Sequence, residues 1–304
     1  MQKFHSHGKL LITGEYVVLD GAVALALPTK FGQQMEVTEI PETVIEWKSL
    51  DREDKVWFED SFRISDLYQE VLPTSEVSKM LFLALRSAAK RNPQFFKGED
   101  GYQIITKTDF PREWGLGTSS TLIANLAKWT DVDAFELLET TFGGSGYDVA
   151  VALQGSAITY RRTPAENVIF KTTFDPLFKD RLFFVFLNRK QNSRESIVHY
   201  RQQEKTTLDI AIEKISNLTQ SILTCTTLAE FELLIEVHES IISTLTGLKK
   251  VKNELFPDYP GAVKSLGGWG GDFVLATGSD EDMEYFRKKG YSTILSFEEM
   301  ILSN

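Results

Sequence analysis

The sequence predicts an α+β fold rather than a doubly wound parallel sheet, and the distribution of its periodic segments carries that prediction. Strand-like stretches crowd the first part of the chain before any long helical stripe begins. Helical stretches later run together, and strands return singly or in pairs instead of alternating one for one with helices. No Gly-x-x-x-x-Gly-Lys-Ser/Thr stretch occurs, which argues against the ordinary P-loop architecture. A chain of 304 residues makes one large or two ordinary domains. The change of pattern after Gly155 suggests two domains, with a boundary near residue 170, giving residues 1–170 and 171–304.

In chain order, Phe4 to Ser6, Lys9 to Thr13, Glu15 to Leu19, Gln33 to Glu39, Val44 to Ser49 and Val56 to Glu59 read as strands, being short and β-branched or alternating. Ser75 to Arg91 reads as a helix whose apolar stripe is Val77, Met80, Leu81, Leu83, Ala84 and Ala88. Tyr102 to Thr106 is a strand. Helices are expected at Ser119 to Lys128, Asp131 to Thr141 and Tyr147 to Leu153. Ser156 to Arg161 and Asn167 to Thr172 read as paired strands, and Leu182 to Leu187 as a buried one. Ser193 to Cys225 forms one or two helices, and Leu228 to Leu248 continues helical. Asp272 to Ala276 is a strand, Asp280 to Lys289 a helix, and Tyr291 to Ser296 the last strand.

Composition narrows the function classes. The 42% hydrophobic and 25% charged residues are those of a globular chain, and the apolar runs are too short to span a bilayer. The first twenty residues lack the uninterrupted apolar region of a signal peptide, so a cytoplasmic location and no membrane partner are expected. A net charge of -10 argues against a nucleic-acid partner, which would require a basic patch. A polyanionic ligand would have to be met by a local group of cations or by backbone N–H groups. Cys225 is the only cysteine, which excludes an intrachain disulfide and a multi-thiolate zinc site. His5 and His7 alternate along one strand without a third ligand, which reads as a structural or surface role.

The segment Pro111 to Leu122 is the most informative. A strand ends, the chain turns on Gly115 and Gly117, and an apolar helix opens with Thr118, Ser119, Ser120 and Thr121. Unpaired N–H groups and the positive end of the helix dipole favour an anion there. Gly115, Leu116, Gly117, Thr118, Ser119 and Ser120 are therefore candidate phosphate-binding residues. Three other stretches accompany it: Gly8 to Gly21, Gly143 to Ala150, and Lys264 to Leu275.

The order and spacing of these four segments resemble the GHMP kinases, the family of galactokinase, homoserine kinase, mevalonate kinase and phosphomevalonate kinase. The resemblance runs from residue 8 to residue 275. It implies an N-terminal nucleotide-binding domain and a C-terminal ferredoxin-like α+β domain with the active site between them. It further implies ATP and Mg2+ as cofactors and a small-molecule acceptor. By the family's Ser-Gly-x-Asp pattern, Asp148 is the expected base and Ser145 a substrate contact. Lys9 matches the first motif's lysine and would stabilise developing negative charge. Ser119 matches the hydroxyl residue that helps hold magnesium, and Glu139 is the nearest match to the family's metal-binding glutamate, with Glu136 one turn earlier as a rival. Glu15, Tyr16, Gly267 and Gly268 fall in the motifs that approach the substrate. Arg194, in the polar cluster after Leu187, could hold an acceptor anion or merely line a solvated turn.

Some positions depart from the family pattern. Thr118 to Thr121 is more polar than the usual Ser-Ser-Ala-Ala, and Trp269 replaces a small residue, either walling the acceptor pocket or packing elsewhere. Tyr16 and Asp272 resemble the phosphomevalonate branch, while an aspartate such as Asp148 has most use when the acceptor is a hydroxyl. The expected activity is phosphorylation of mevalonate, with phosphomevalonate kinase as the alternative and a non-catalytic nucleotide-binding protein as the contrasting class.

Overall fold

The computed structural model describes residues 1–191, 193–203 and 206–303; for Ser193 and Arg194 the described part is the backbone. In chain order the elements are β1 (Gln2–Thr13), β2 (Ala24–Ile40), β3 (Val44–Leu50), β4 (Val56–Arg63), α1 (Glu76–Arg91), β5 (Gly101–Thr108), α2 (Thr118–Thr130), α3 (Ala134–Glu139) and α4 (Tyr147–Gln154). They continue with β6 (Ile158–Arg162), β7 (Asn167–Lys171), β8 (Leu182–Phe186), α5 (Ser193–Gln202), α6 (Leu208–Thr224), α7 (Leu228–Thr246), α8 (Val251–Leu255), β9 (Val263–Ser265), β10 (Phe273–Thr277), α9 (Glu284–Lys288), β11 (Ile294–Ser296) and α10 (Phe297–Met300). Strands and helices segregate as an α+β fold.

The chain divides into two compact units and crosses between them five times rather than once. The first unit is Met1–Gly8, Phe31–Arg112 and Gly117–Gly155; the second is Lys9–Lys30, Glu113–Leu116 and Ser156–Asn304. This partition differs from a single boundary near residue 170. β1 and β2 each contribute residues to both units, so the first motif, Lys9 to Gly21, belongs with the C-terminal elements.

In the first unit the strand order is β4, β3, β5 and the C-terminal part of β2, with β3 and β5 parallel and the other neighbours antiparallel. Its core joins Met35, Val37, Ile45, Trp47 and Ile104 of the sheet to Leu81, Leu85, Ile123, Leu126, Leu137 and Val149 of the helices. Trp129 anchors α2, meeting Phe95, Phe96 and Tyr102 edge-on at 5.1, 5.6 and 5.1 Å. Such pairs add about 0.5–1.5 kcal/mol each beyond their buried area. Buried polar bonds fix the same helix: Asn125 donates to the Gln33 carbonyl at 3.0 Å and accepts from Ser6 Oγ at 2.7 Å.

In the second unit the N-terminal part of β2 pairs with β6 and β6 with β7. A separate antiparallel sheet runs β11, β8, β10, β9. One core packs β8 and β10 against α8 and α9 through Val185, Val274, Val251 and Phe286. Another gathers Tyr16, Val17, Tyr200, Ile215, Ile242 and Trp269. Among the described residues no helix is long and apolar enough to cross a membrane.

Several elements differ from the sequence expectation for physical reasons. Phe4 to Ser6 and Lys9 to Thr13 fuse into β1, because Gly8 adopts extended backbone within the strand. Glu15 to Leu19 is not a strand: Gly14 at φ 93° and Tyr16 at φ 64° turn the chain into a 3-10 helix, Val17–Asp20. A side chain at Gly14 would place its Cβ 2.6 Å from that of Ala24. Helix α3 starts at Ala134 because Asp133 caps it, accepting from Phe135 N and Glu136 N at 2.8 and 2.9 Å. Ser193 to Cys225 splits into α5 and α6.

Candidate functional site

In the first unit, Gly117 occupies the N-cap position of α2 in the left-handed region, φ 95°, ψ 42°, with no side-chain cap. The first helical bond runs from Thr121 N to Gly117 O at 3.0 Å. The N–H groups of Thr118, Ser119 and Ser120 thus precede the helical ladder, the arrangement that favours an anion. Two of the four hydroxyls fold inward. Ser120 Oγ donates to Gly117 O at 2.8 Å, and the buried Thr121 hydroxyl lies 3.1 Å from Gln33 Oε1. Ser119 is exposed. The polar departure at 120 and 121 is therefore satisfied within the unit, leaving Ser119 as the solvent-facing hydroxyl.

Asp148 stands in the first turn of α4, behind Gly146 at φ 92°. It is half-buried, as is Ser145, and its Oδ1 accepts from Val149 N at 3.0 Å. Glu139 ends α3 and is exposed, whereas Glu136 pairs with Arg91 at 2.8 Å. Ser119 and Glu139 are exposed hard-oxygen donors, the chemistry magnesium takes. Among the described residues no group of three His, Cys, Asp or Glu side chains converges to hold a metal.

In the second unit, Lys9 is bound to the turn that leads toward α2: its backbone N–H donates to Leu116 O at 2.9 Å and its Nζ to Gly115 O at 3.1 Å. Asp272 lies beside the same glycine, since a Cβ at Gly115 would come within 2.3 Å of the Asp272 carboxyl. Gly267, at φ 68°, faces open space, while a Cβ on Gly268 would meet Gln191 Cγ at 2.6 Å. Backbone approach to a ligand is open at 267 and already used by protein at 268. The Arg194 side chain lies outside the described residues.

Glu15 is wholly buried. Its carboxylate pairs with Lys264 Nζ and lies 3.2 Å from His238 Nε2, and all three side chains are 0% exposed. The Glu15 carboxylate, from a motif expected near the substrate, is thus engaged with Lys264 inside the protein, and Gly14 to Tyr16 are all buried. Gly14 N–H donates to His238 Nε2 at 3.0 Å, which ties the turn to α7. Burial pushes the Glu15 carboxyl up, but the Lys264 ammonium outweighs it and brings it to about 2. Burial, with Lys264, pushes His238 down, toward the neutral ring that accepting from Gly14 requires. Glu239 sits beside them with Oε1 4.0 Å from Lys264 Nζ; burial pushes its carboxyl up to about 8 against that ammonium.

Tyr16 is also buried. Its hydroxyl accepts from Trp269 N–H at 3.1 Å and its ring stacks on Tyr200 at 5.3 Å. Trp269 is 5% exposed, packs in the Tyr16 core and donates its indole N–H to Lys249 O at 2.7 Å. Of the two readings of this indole, packing is the one observed.

The sequence reading missed Lys264, His238 and Glu239. One signal was present in α7: Phe231, Ile235, His238, Ile242 and Leu245 recur at helical spacing, which puts 238 and its neighbour on the buried face.

Comparison with models of protein families and with curated proteins gives no match. Solved structures do match. The mevalonate kinase of Methanococcus jannaschii has a TM-score of 0.72 and 15% identity, covering 100% of this chain and 98% of that one. The phosphomevalonate kinase of Streptococcus pneumoniae, in complex with phosphomevalonate and AMPPNP, has a TM-score of 0.70 and 15% identity over 97% of this chain and 100% of that one. The galactokinase of Lactococcus lactis, complexed with galactose, has a TM-score of 0.68 and 12% identity over 100% and 94%. Near-complete coverage in both directions, at identities that speak for architecture alone, means that this chain has the GHMP-kinase fold.

Proposed function

We propose that the protein is an ATP- and Mg2+-dependent kinase that phosphorylates a small-molecule alcohol, mevalonate. The observation that carries this reading is Asp148 in the first turn of α4, directly behind the Ser145-Gly146 turn, on a chain with the GHMP-kinase fold. An alcohol is a poor nucleophile at neutral pH. Asp148 accepts its proton as the oxygen bonds to the γ-phosphorus of ATP and the bond to ADP breaks. Lys9 offsets the negative charge that develops. The N–H groups of Gly117 to Ser120 hold the nucleotide phosphates, with Gly115 and Leu116 leading the turn. Ser119 and Glu139 would hold magnesium, which neutralises phosphate charge when bound.

Mevalonate is favoured over phosphomevalonate because a phosphate acceptor is already ionised near neutral pH and needs a base less. The features leaning the other way are engaged within the protein: Tyr16 with Trp269, and Asp272 with Gln191 N at 3.0 Å. The test is ADP release with Mg-ATP and, separately, mevalonate, phosphomevalonate, galactose and homoserine. Highest kcat/KM on mevalonate supports the reading. A preference for phosphomevalonate selects the other branch, and no turnover with any acceptor overturns the kinase.

A further inference from the structure

Lys9, Gly115 and Asp272 meet within the second unit, and the meeting has no counterpart in the function proposed so far. Asp272 follows Gly270 and Gly271 but is itself left-handed, φ 51°, a region that glycine enters freely and that side chains strain to adopt. Its backbone is held on both sides, N–H to Arg189 O at 2.9 Å and C=O from Leu187 N at 2.8 Å. Its carboxylate accepts from Gln191 N at 3.0 Å and is only 8% exposed. The free side of that carboxylate lies against Gly115, whose carbonyl accepts from Lys9 Nζ at 3.1 Å. Burial raises the Asp272 carboxyl, and the Gln191 N–H, Lys9 and then Lys190 oppose it. A position where glycine would be strain-free thus keeps a buried carboxylate on which both Lys9 and Lys190 act.

We propose that Asp272 is a positioning residue for Lys9: its carboxylate holds the Lys9 ammonium at the Gly115 carbonyl and keeps position 115 open only to glycine. This rests on Lys9 having the charge-stabilising role assigned above, and it accounts for Asp272 without a contact to the acceptor. Asparagine is the informative substitution. It tolerates the left-handed backbone, keeps a carbonyl oxygen for the Gln191 N–H, and removes only the charge.

The experiment compares wild type with Asp272→Asn, and with Asp272→Gly should the asparagine variant fail to fold. Two quantities are read: kcat and KM for Mg-ATP with the better acceptor, and the rate at which Lys9 is acetylated by an N-hydroxysuccinimide ester, followed by peptide mass mapping. Removing a nearby opposite charge makes the neutral amine easier to reach, so Lys9 should be acetylated faster, about tenfold for a shift of one pH unit. kcat should fall about tenfold with KM for Mg-ATP within twofold. Unchanged acetylation overturns the proposal whatever happens to kcat, and faster acetylation with unchanged kcat overturns it too. If the wild type turns over neither mevalonate nor phosphomevalonate, the kinase reading fails by itself, and the acetylation rate alone still decides whether Asp272 governs Lys9.

Discussion

Replacing Glu239 with glutamine should stabilise the protein, and more so as pH rises. Glu239 is 1% exposed, with its carboxylate 4.0 Å from Lys264 Nζ. Burial, opposed by Lys264 and reinforced by Glu15, lifts its carboxyl from 4.5 to about 8. The folded state therefore keeps a proton that the unfolded chain releases. Below pH 4.5 both states hold it and there is no penalty; between 4.5 and about 8 stability falls by about 1.4 kcal/mol per pH unit, and above that the loss is complete. At pH 7 the accumulated cost is about 3 kcal/mol, which glutamine, neutral and nearly isosteric, does not incur. Glu15 does not confuse the window, because its folded value is about 2 and its contribution disappears only in stronger acid. Urea unfolding followed by tryptophan fluorescence at pH 5, 6, 7 and 8 measures the difference. Glu239→Gln should exceed wild type by less than about 1 kcal/mol at pH 5 and by about 3 kcal/mol at pH 7. Parallel stability curves across that range would mean that Glu239 ionises as it does in water and that the buried-acid argument is wrong.

Asp148→Asn should lower kcat by about a hundredfold with Mg-ATP affinity nearly unchanged, as expected of a group acting in the transition state; near-normal turnover of the folded variant refutes the base assignment. Gly117→Val places a β-branched side chain at φ 95° and closes the turn to phosphates, so calorimetry should show Mg-ATP binding lost, and unaltered affinity would remove the phosphates from this turn. Lys264→Met strands the buried Glu15 carboxylate, and urea unfolding at pH 7 should register a loss of about 3–5 kcal/mol; a loss below about 1 kcal/mol would show that water reaches the cluster.

Features set by a few neighbouring residues were legible from the sequence. The Gly115 and Gly117 turn, the opening of α2, the start of α4 beside Asp148 and the stripe of α1 depend on glycine's access to positive φ and on helical spacing, both local properties. Segregation of strands from helices along the chain was enough for the α+β class. The first motif shows where locality ends. Glu15 to Leu19 is short and β-branched like a strand, yet positive φ at Gly14 and Tyr16 bends it, and its carboxylate meets Lys264 from a stretch 249 residues away in the chain. Trp269 could equally have walled a pocket or filled a core until Tyr16, Tyr200 and the Lys249 carbonyl surrounded it. Lys264, His238 and Glu239 each look like ordinary surface residue types. Burial turns them into one electrostatic unit, because the desolvation that shifts their charges arises only when β9, α7 and the Gly14 turn exclude water together. Local stereochemistry wrote the turns and helix starts into the sequence, while the partners of buried charges were decided by contacts between segments that no local pattern links.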